Sequence, residues 1–222
     1  IESIVNGTLN ILEVCRKLKY SGNIFFAGSS EIFGHTNTPA GINHQQKPCN
    51  TYGIGKQASL NLVKIYREIY NLRCKTGILF NHESPLRNEN FVTQKIISIA
   101  VKCSMEKTTK LKIGNIQIER DWGWAEEYIE GIHLMTCKDL VKDQVICTGQ
   151  LTSLKEFINI TFKKLDLNYK DFIEIDPKYY RETEVMKSFG DPEILEKDLN
   201  WKPKIFIEEV IEKLIDFKLK SI

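Results

Sequence analysis

The chain has 222 residues, 42% of them hydrophobic and 27% charged, enough to bury the core of one ordinary domain or of a domain with a small lobe. Its 31 basic and 29 acidic side chains leave a formal charge of +2, spread along the chain, which excludes a dedicated nucleic-acid face but allows a local basic pocket for a phosphorylated ligand. No run approaches the ~18 apolar residues of a membrane span, no secretory signal is visible, and six dispersed cysteines without a C-x-x-C pair fit reduced thiols in a cytoplasmic protein.

Ile1 already opens a helical pattern, with Ile4, Leu9, Ile11, Leu12 and Val14 as its apolar face. A strand is expected at about Asn23 to Ala27, ending in the small residues Gly28, Ser29 and Ser30. Gly34 to Thr51, with Pro39, Gly41 and Pro48, reads as a polar loop of active-site size. A long helix from Tyr52 to Tyr70 and a strand around Thr76 to Phe80 follow. This alternation implies a parallel sheet with helices on its faces. Beyond a polar loop at Asn81 to Asn90, helices are expected at Phe91 to Met105 and Ala125 to Cys137. Short strands are expected at Leu111 to Ile113, Ile116 to Ile118 and Gln144 to Cys147. Thr152 is placed to cap a helix running to about Leu165. Pro192 opens another helix, and Glu208 to Lys218 forms the last.

The residues that carry chemistry begin with Tyr52-Gly53-Ile54-Gly55-Lys56. Residues four apart share a helix face, so the Lys56 ammonium can sit near the Tyr52 phenol. A phenol is a poor base at neutral pH, and a neighbouring cation favours its phenolate. Gly28-Ser29-Ser30-Glu31 stands at the carboxyl end of the preceding strand, where ligands of open α/β sheets bind. A hydroxyl there can share a substrate oxygen with the tyrosine. Glu31 adds a second base. Removing a hydride from an alcohol needs one base, and a second carboxylate is needed only if a C–H proton is also removed and water expelled.

The Ser/Tyr/Lys set resembles the short-chain dehydrogenase/reductase superfamily, and Ser29-x-Glu31 its 4,6-dehydratases. Longer segments resemble the GDP-mannose 4,6-dehydratase family: Gly77-Ile78-Leu79-Phe80-Asn81-His82-Glu83-Ser84-Pro85, Glu89-Asn90-Phe91-Val92-Thr93, Arg120-Asp121-Trp122-Gly123, Thr148-Gly149, Tyr179-Tyr180-Arg181-x-Thr183-Glu184-Val185 and Leu199-Asn200-Trp201-Lys202-Pro203. The resemblance implies an α/β fold: part of a Rossmann-type parallel sheet over residues 1–110, then a smaller mixed α/β substrate lobe over 111–222 with segments returning to the sheet. It implies Ser29, Glu31, Tyr52 and Lys56 as catalytic residues. Tyr52, Lys56, His82 and Arg87 would contact NADP, with NAD as the other option. Asn81, Lys95, Asn115, Arg120, Arg181 and Glu184 would hold GDP-mannose or a related nucleotide sugar. Arginine suits a diphosphate because its planar fork donates two hydrogen bonds at once.

Serine at position 29 stands where family members usually carry threonine, and Leu86 replaces a usual arginine. Trp122 and Trp201 are expected to be core anchors, and self-association is implied by resemblance. No G-x-x-G-x-x-G turn for a dinucleotide pyrophosphate occurs in the sequence. The chain is therefore expected to be part of a longer protein, and residues 1–222 alone to bind NADP weakly or not at all. Two other functions stay open: a nucleotide-sugar 4-epimerase or 4-reductase, which would not need Glu31, and an inactive nucleotide-sugar-binding fragment.

Overall fold

In a computed structural model the described residues are 1–106, 109–138 and 142–221. Helix α1 (Glu2–Lys17) leads into strand β1 (Ile24–Ser29), and after a long loop helix α2 (Thr51–Tyr70) leads into β2 (Cys74–Leu79). Strand β7 (Gln144–Ile146) completes a parallel sheet of order β1-β2-β7, in which Ser29 is level with Leu79, and Leu79 with Ile146. The α/β class expected from the sequence is what forms.

The chain then builds a second set of elements. Strand β3 (Asn81–Glu83) and helix α3 (Val92–Glu106) precede β4 (Leu111–Ile113), β5 (Glu119–Arg120), β6 (Trp122–Trp124) and helix α4 (Ala125–Cys137). Strand β8 (Thr152–Ser153), helix α5 (Leu154–Lys163), β9 (Ile173–Ile175), β10 (Lys187–Ser188), helix α6 (Glu193–Leu199) and helix α7 (Ile207–Lys220) complete it. Small sheets pair distant segments: β3 with β6, β4 with β9, and β10-β5-β8. The largest apolar cluster joins Ile96, Ile97 and Val101 of α3 to Phe157 and Phe162 of α5 and to Val210, Ile211 and Leu214 of α7. Helix α3 thus packs with the later elements although it precedes residue 110. Trp122 and Trp201 are 4% exposed, as core anchors should be.

Three local expectations fail for identifiable reasons. Ile116 to Ile118 is not a strand: Asn115 Oδ1 accepts from the Gln117 amide at 2.9 Å and makes a turn, while the Ile116 and Ile118 carbonyls accept from the amides of Lys155 and Leu154. Both isoleucines are buried all the same. The cap of α5 is Ser153, whose hydroxyl accepts from the Glu156 amide at 3.0 Å; Thr152 and Ser153 pair with Arg120 and Glu119 in a sheet, so the helix begins only after both. On α1 only Leu12 is fully buried, and Ile11 (59%) and Val14 (54%) stay exposed.

Two buried carboxylates tie the layers together. Asp143 takes both guanidinium arms of Arg67 at 2.8 and 2.9 Å and the Thr76 amide at 2.7 Å, joining α2 and β2 to the start of β7. Asp121 accepts from the amides of Thr148, Gly149 and Gly190 and from the Thr148 hydroxyl. It therefore pins the ends of three segments with one side chain. No described helix is long and apolar enough to cross a membrane.

Candidate active site

The site forms where β1 ends and α2 begins. Residues Ser30–Ile32 make one 3-10 turn, and the Ser29 hydroxyl caps it by accepting from the Glu31 amide at 3.3 Å. Ser29 is 9% exposed, Glu31 half-buried. Helix α2 starts at Asn50, whose Oδ1 accepts from the Gly53 amide at 2.8 Å, while its Nδ2 donates to Glu31 Oε2 at 2.8 Å. Asn50, at the end of the long polar loop, thus joins the helix end to the carboxylate. An Asn two positions before Tyr52 and just ahead of a helical pattern is a capping signal that could have singled it out.

Tyr52 stands at the mouth of the site with 46% exposure. One turn later, the Lys56 ammonium donates to the Ala27 carbonyl at 2.8 Å and lies 5.6 Å from the Tyr52 ring centroid and 5.2 Å from that of Phe26. Burial of Lys56 lowers its pKa. The helix spacing has done what it predicted: cation and phenol share one face, and the cation is anchored on the strand that carries Ser29.

His82 and Arg87 lie on β3 and the loop after it. The Phe80 carbonyl can only accept, so at 2.8 Å it fixes the proton on His82 Nδ1 and leaves Nε2 as an acceptor. Burial lowers the His82 pKa, which favours the neutral ring, and the ring packs 4.9 Å from Tyr128. Arg87 donates to the His82 carbonyl at 3.1 Å, covers the Phe91 ring at 3.9 Å and lies 3.4 Å from Glu83 Oε2. Glu83 is 1% exposed. Thr93 donates to its Oε2 at 2.9 Å, and its Oε1 has no hydrogen-bond partner among the described residues. Burial pushes its carboxyl up to about 7 against the pull of Arg87 and Thr93.

The residues expected on the substrate side are brought together in part. Arg120 is half-buried on β5 and donates to the Glu119 carbonyl at 2.9 Å. Burial lowers its pKa, while the charges of Glu31 and Glu184 act to raise it and that of Arg181 to lower it. Glu31, Arg181 and Glu184 are therefore near enough for their charges to act on Arg120. Asn115 Nδ2 lies 3.4 Å from the sulfur of Met186, two residues after Glu184 in sequence. Asn81 is half-buried on β3, level with Trp122. Lys95 lies on the exposed face of α3 and makes no side-chain hydrogen bond or ion pair among the described residues. Nor do the described residues contain a group of three or more His, Cys, Asp or Glu side chains able to hold a metal.

Residues 1–214 match the family model described as GDP-mannose 4,6 dehydratase. The chain belongs to that family. It is 39% identical to GDP-mannose 4,6 dehydratase 1 of Arabidopsis thaliana over 98% of this chain and 61% of that protein. With the human GDP-mannose 4,6 dehydratase it shares 33% identity over 94% of this chain and 62% of the relative. It thus spans about three-fifths of these relatives. The fold extends to more distant solved structures: RMD from Pseudomonas aeruginosa, solved with NADPH (TM-score 0.89, 20% identity, covering 100% of this chain and 74% of that one), and dTDP-glucose 4,6-dehydratase from Bacillus anthracis, solved with NAD (TM-score 0.89, 16% identity, covering 99% and 68%).

Proposed function

We propose that this GDP-mannose 4,6-dehydratase family chain carries the catalytic residues of a nucleotide-sugar 4,6-dehydratase, acting on GDP-mannose in the cytoplasm. The observation that carries the reading is the second carboxylate: Glu31 stands two residues after Ser29 and is tied through Asn50 to the helix end that presents Tyr52. A bound nicotinamide dinucleotide, NADP by preference, would supply the acceptor for hydride from C4 and its return to C6. Ser29 and Tyr52 bind the sugar 4-hydroxyl, and Tyr52 takes its proton, with the Lys56 ammonium favouring the phenolate. The resulting 4-ketone acidifies the hydrogen at C5. Glu31 removes that proton and gives it to the departing 6-hydroxyl, so that water leaves and a 4-keto-5,6-ene remains; hydride returned to C6 together with a proton delivered to C5, balancing the one Tyr52 took from the 4-hydroxyl, would give the 4-keto-6-deoxy sugar.

The donor set suits the dinucleotide: an ammonium beside the Tyr52 ring, an imidazole with a free acceptor at Nε2, and the Arg87 guanidinium. Arg120, Arg181 and Glu184, with Asn81, Lys95 and Asn115, are the proposed nucleotide-sugar contacts. We keep residue 110 as the proposed boundary between sheet domain and substrate lobe, with α3 contributing its apolar face to the lobe. Self-association is proposed too, supported by exposed Ile11 and Val14 on α1, Leu18 just after it, and Ile65 and Ile69 on α2. Sedimentation of a single monomeric species at all concentrations would remove it.

Glu31→Gln is the deciding experiment. A dehydratase should then oxidise C4 and stop, with the reduced cofactor accumulating and no deoxy sugar formed. Tyr52→Phe should lose the first step as well, by about 10²–10⁴-fold. Unimpaired turnover of Glu31→Gln would favour an epimerase or reductase instead.

A further inference from the structure

Asn50 does two things with one carboxamide. Its Oδ1 holds the Gly53 amide at 2.8 Å and its Nδ2 holds Glu31 Oε2 at 2.8 Å, from an extended backbone at φ −147° and ψ 167°. The other carboxylate oxygen, Glu31 Oε1, makes no hydrogen bond among the described residues. The backbone of Glu31 is fixed just as closely. A Cβ added to Gly53 would lie 2.6 Å from the Glu31 carbonyl oxygen, so the first turn of α2 rests directly on the 3-10 turn. Tyr52 lies between the two contacts.

We propose that Asn50 is a positioning residue for the elimination half of the reaction: it fixes Glu31 relative to Tyr52, tying one carboxylate oxygen and leaving the other free for substrate. The inference rests on the dehydratase reading above. A base that must first meet C5 and then the 6-hydroxyl works best with one oxygen free and its own rotamer locked, since small misplacements of a reacting group cost large factors in rate. The oxidation half does not depend on this carboxamide in the same way, because Lys56 is anchored on the Ala27 carbonyl and Ser29 sits in the strand end.

The test separates capping from tethering. Serine caps a helix about as well as asparagine but has no second group to reach a carboxylate. In the natural protein that carries this chain, Asn50→Ser should keep the melting temperature and the C4 oxidation step. Formation of the 4-keto-6-deoxy product should fall about 10- to 100-fold, with the reduced nicotinamide absorbance building up during a single turnover. Asn50→Asp, which keeps the cap oxygen but faces Glu31 with a second carboxylate, should lose more.

A readout independent of turnover is the Asn50 side-chain amide signal in nitrogen-15 NMR, identified by its loss in Asn50→Ser. It should move and exchange faster in Glu31→Ala. An unmoved signal, wild-type turnover in Asn50→Ser, or an equal loss of both half-reactions together with a lower melting temperature would each overturn the proposal. If the wild-type protein eliminates no water from GDP-mannose, the dehydratase reading falls with the elimination role, and the amide signal alone decides whether Asn50 tethers Glu31.

Discussion

Glu83 gives the sharpest test of the electrostatics around the β3 loop. Its carboxyl rises from the usual 4.5 to about 7, chiefly because burial disfavours the charged form. A carboxyl that binds its proton more tightly when folded stabilises the fold fully below pH 4.5, and that stability is lost as pH rises through 7. At 1.36 kcal/mol per unit, the change amounts to about 3 kcal/mol. The side chain is 1% exposed, so solvent does little to reduce it. Glu83→Gln keeps an oxygen for the Thr93 hydroxyl and cannot ionise. Urea unfolding of both proteins at closely spaced pH values from 4.5 to 8 isolates the effect, because all other titrations cancel in the difference. The wild type should lose about 3 kcal/mol relative to the variant across that range. A difference that stays flat to within about 0.5 kcal/mol would show that Glu83 stays ionised throughout, paired with Arg87, and would refute the reasoning.

Other residues make independent predictions. Asp143→Ala strips Arg67 of its buried partner and the Thr76 amide of its acceptor, and should cost about 3–5 kcal/mol in urea unfolding. Asp121→Ala would leave the amides of Thr148, Gly149 and Gly190 unpaired at about 1–3 kcal/mol each, so the variant should be recovered unfolded or aggregated. Circular dichroism matching the wild type would contradict it. Gly34→Ala places a Cβ 2.2 Å from the Lys47 carbonyl oxygen at a residue with φ +64°, and should displace the loop carrying Asn50. Its signature is a lower melting temperature with reduced turnover. Equal values for variant and wild type would show that the loop can absorb the added methyl.

The sequence made some of this visible and hid the rest for physical reasons. Tyr52 and Lys56 were legible because a helix repeat alone brings residues four apart to one face. Ser29 and Glu31 were legible because small residues at a strand end mark the sheet edge where ligands sit. Asn50 is legible only as a helix cap, since its second partner, Glu31, is supplied by another element and no local pattern announces that contact. The same holds for Asp121 and Asp143, whose bonds run to residues 27 and 76 positions away. Ile116 to Ile118 misled because a buried apolar alternation looks like a strand even when a helix end has taken its backbone carbonyls.

The loop that carries Asn50 is stitched to a much later stretch of chain. The Phe189 amide reaches the Thr36 hydroxyl across 153 positions, Met186 reaches His35 across 151, and Ala40 bridges Gly190. On a ribosome adding about 5–20 residues each second, the loop waits about 8–30 s for its partner to be synthesised. During that wait Ile32, Phe33 and Ala40, buried in the finished molecule, lack the strap that holds them in place. The catalytic end is thus secured late, only once the segment from Met186 to Gly190 has been made. Conditions that slow synthesis or withhold chaperones should lower the fraction of active molecules before they lower the amount of folded protein.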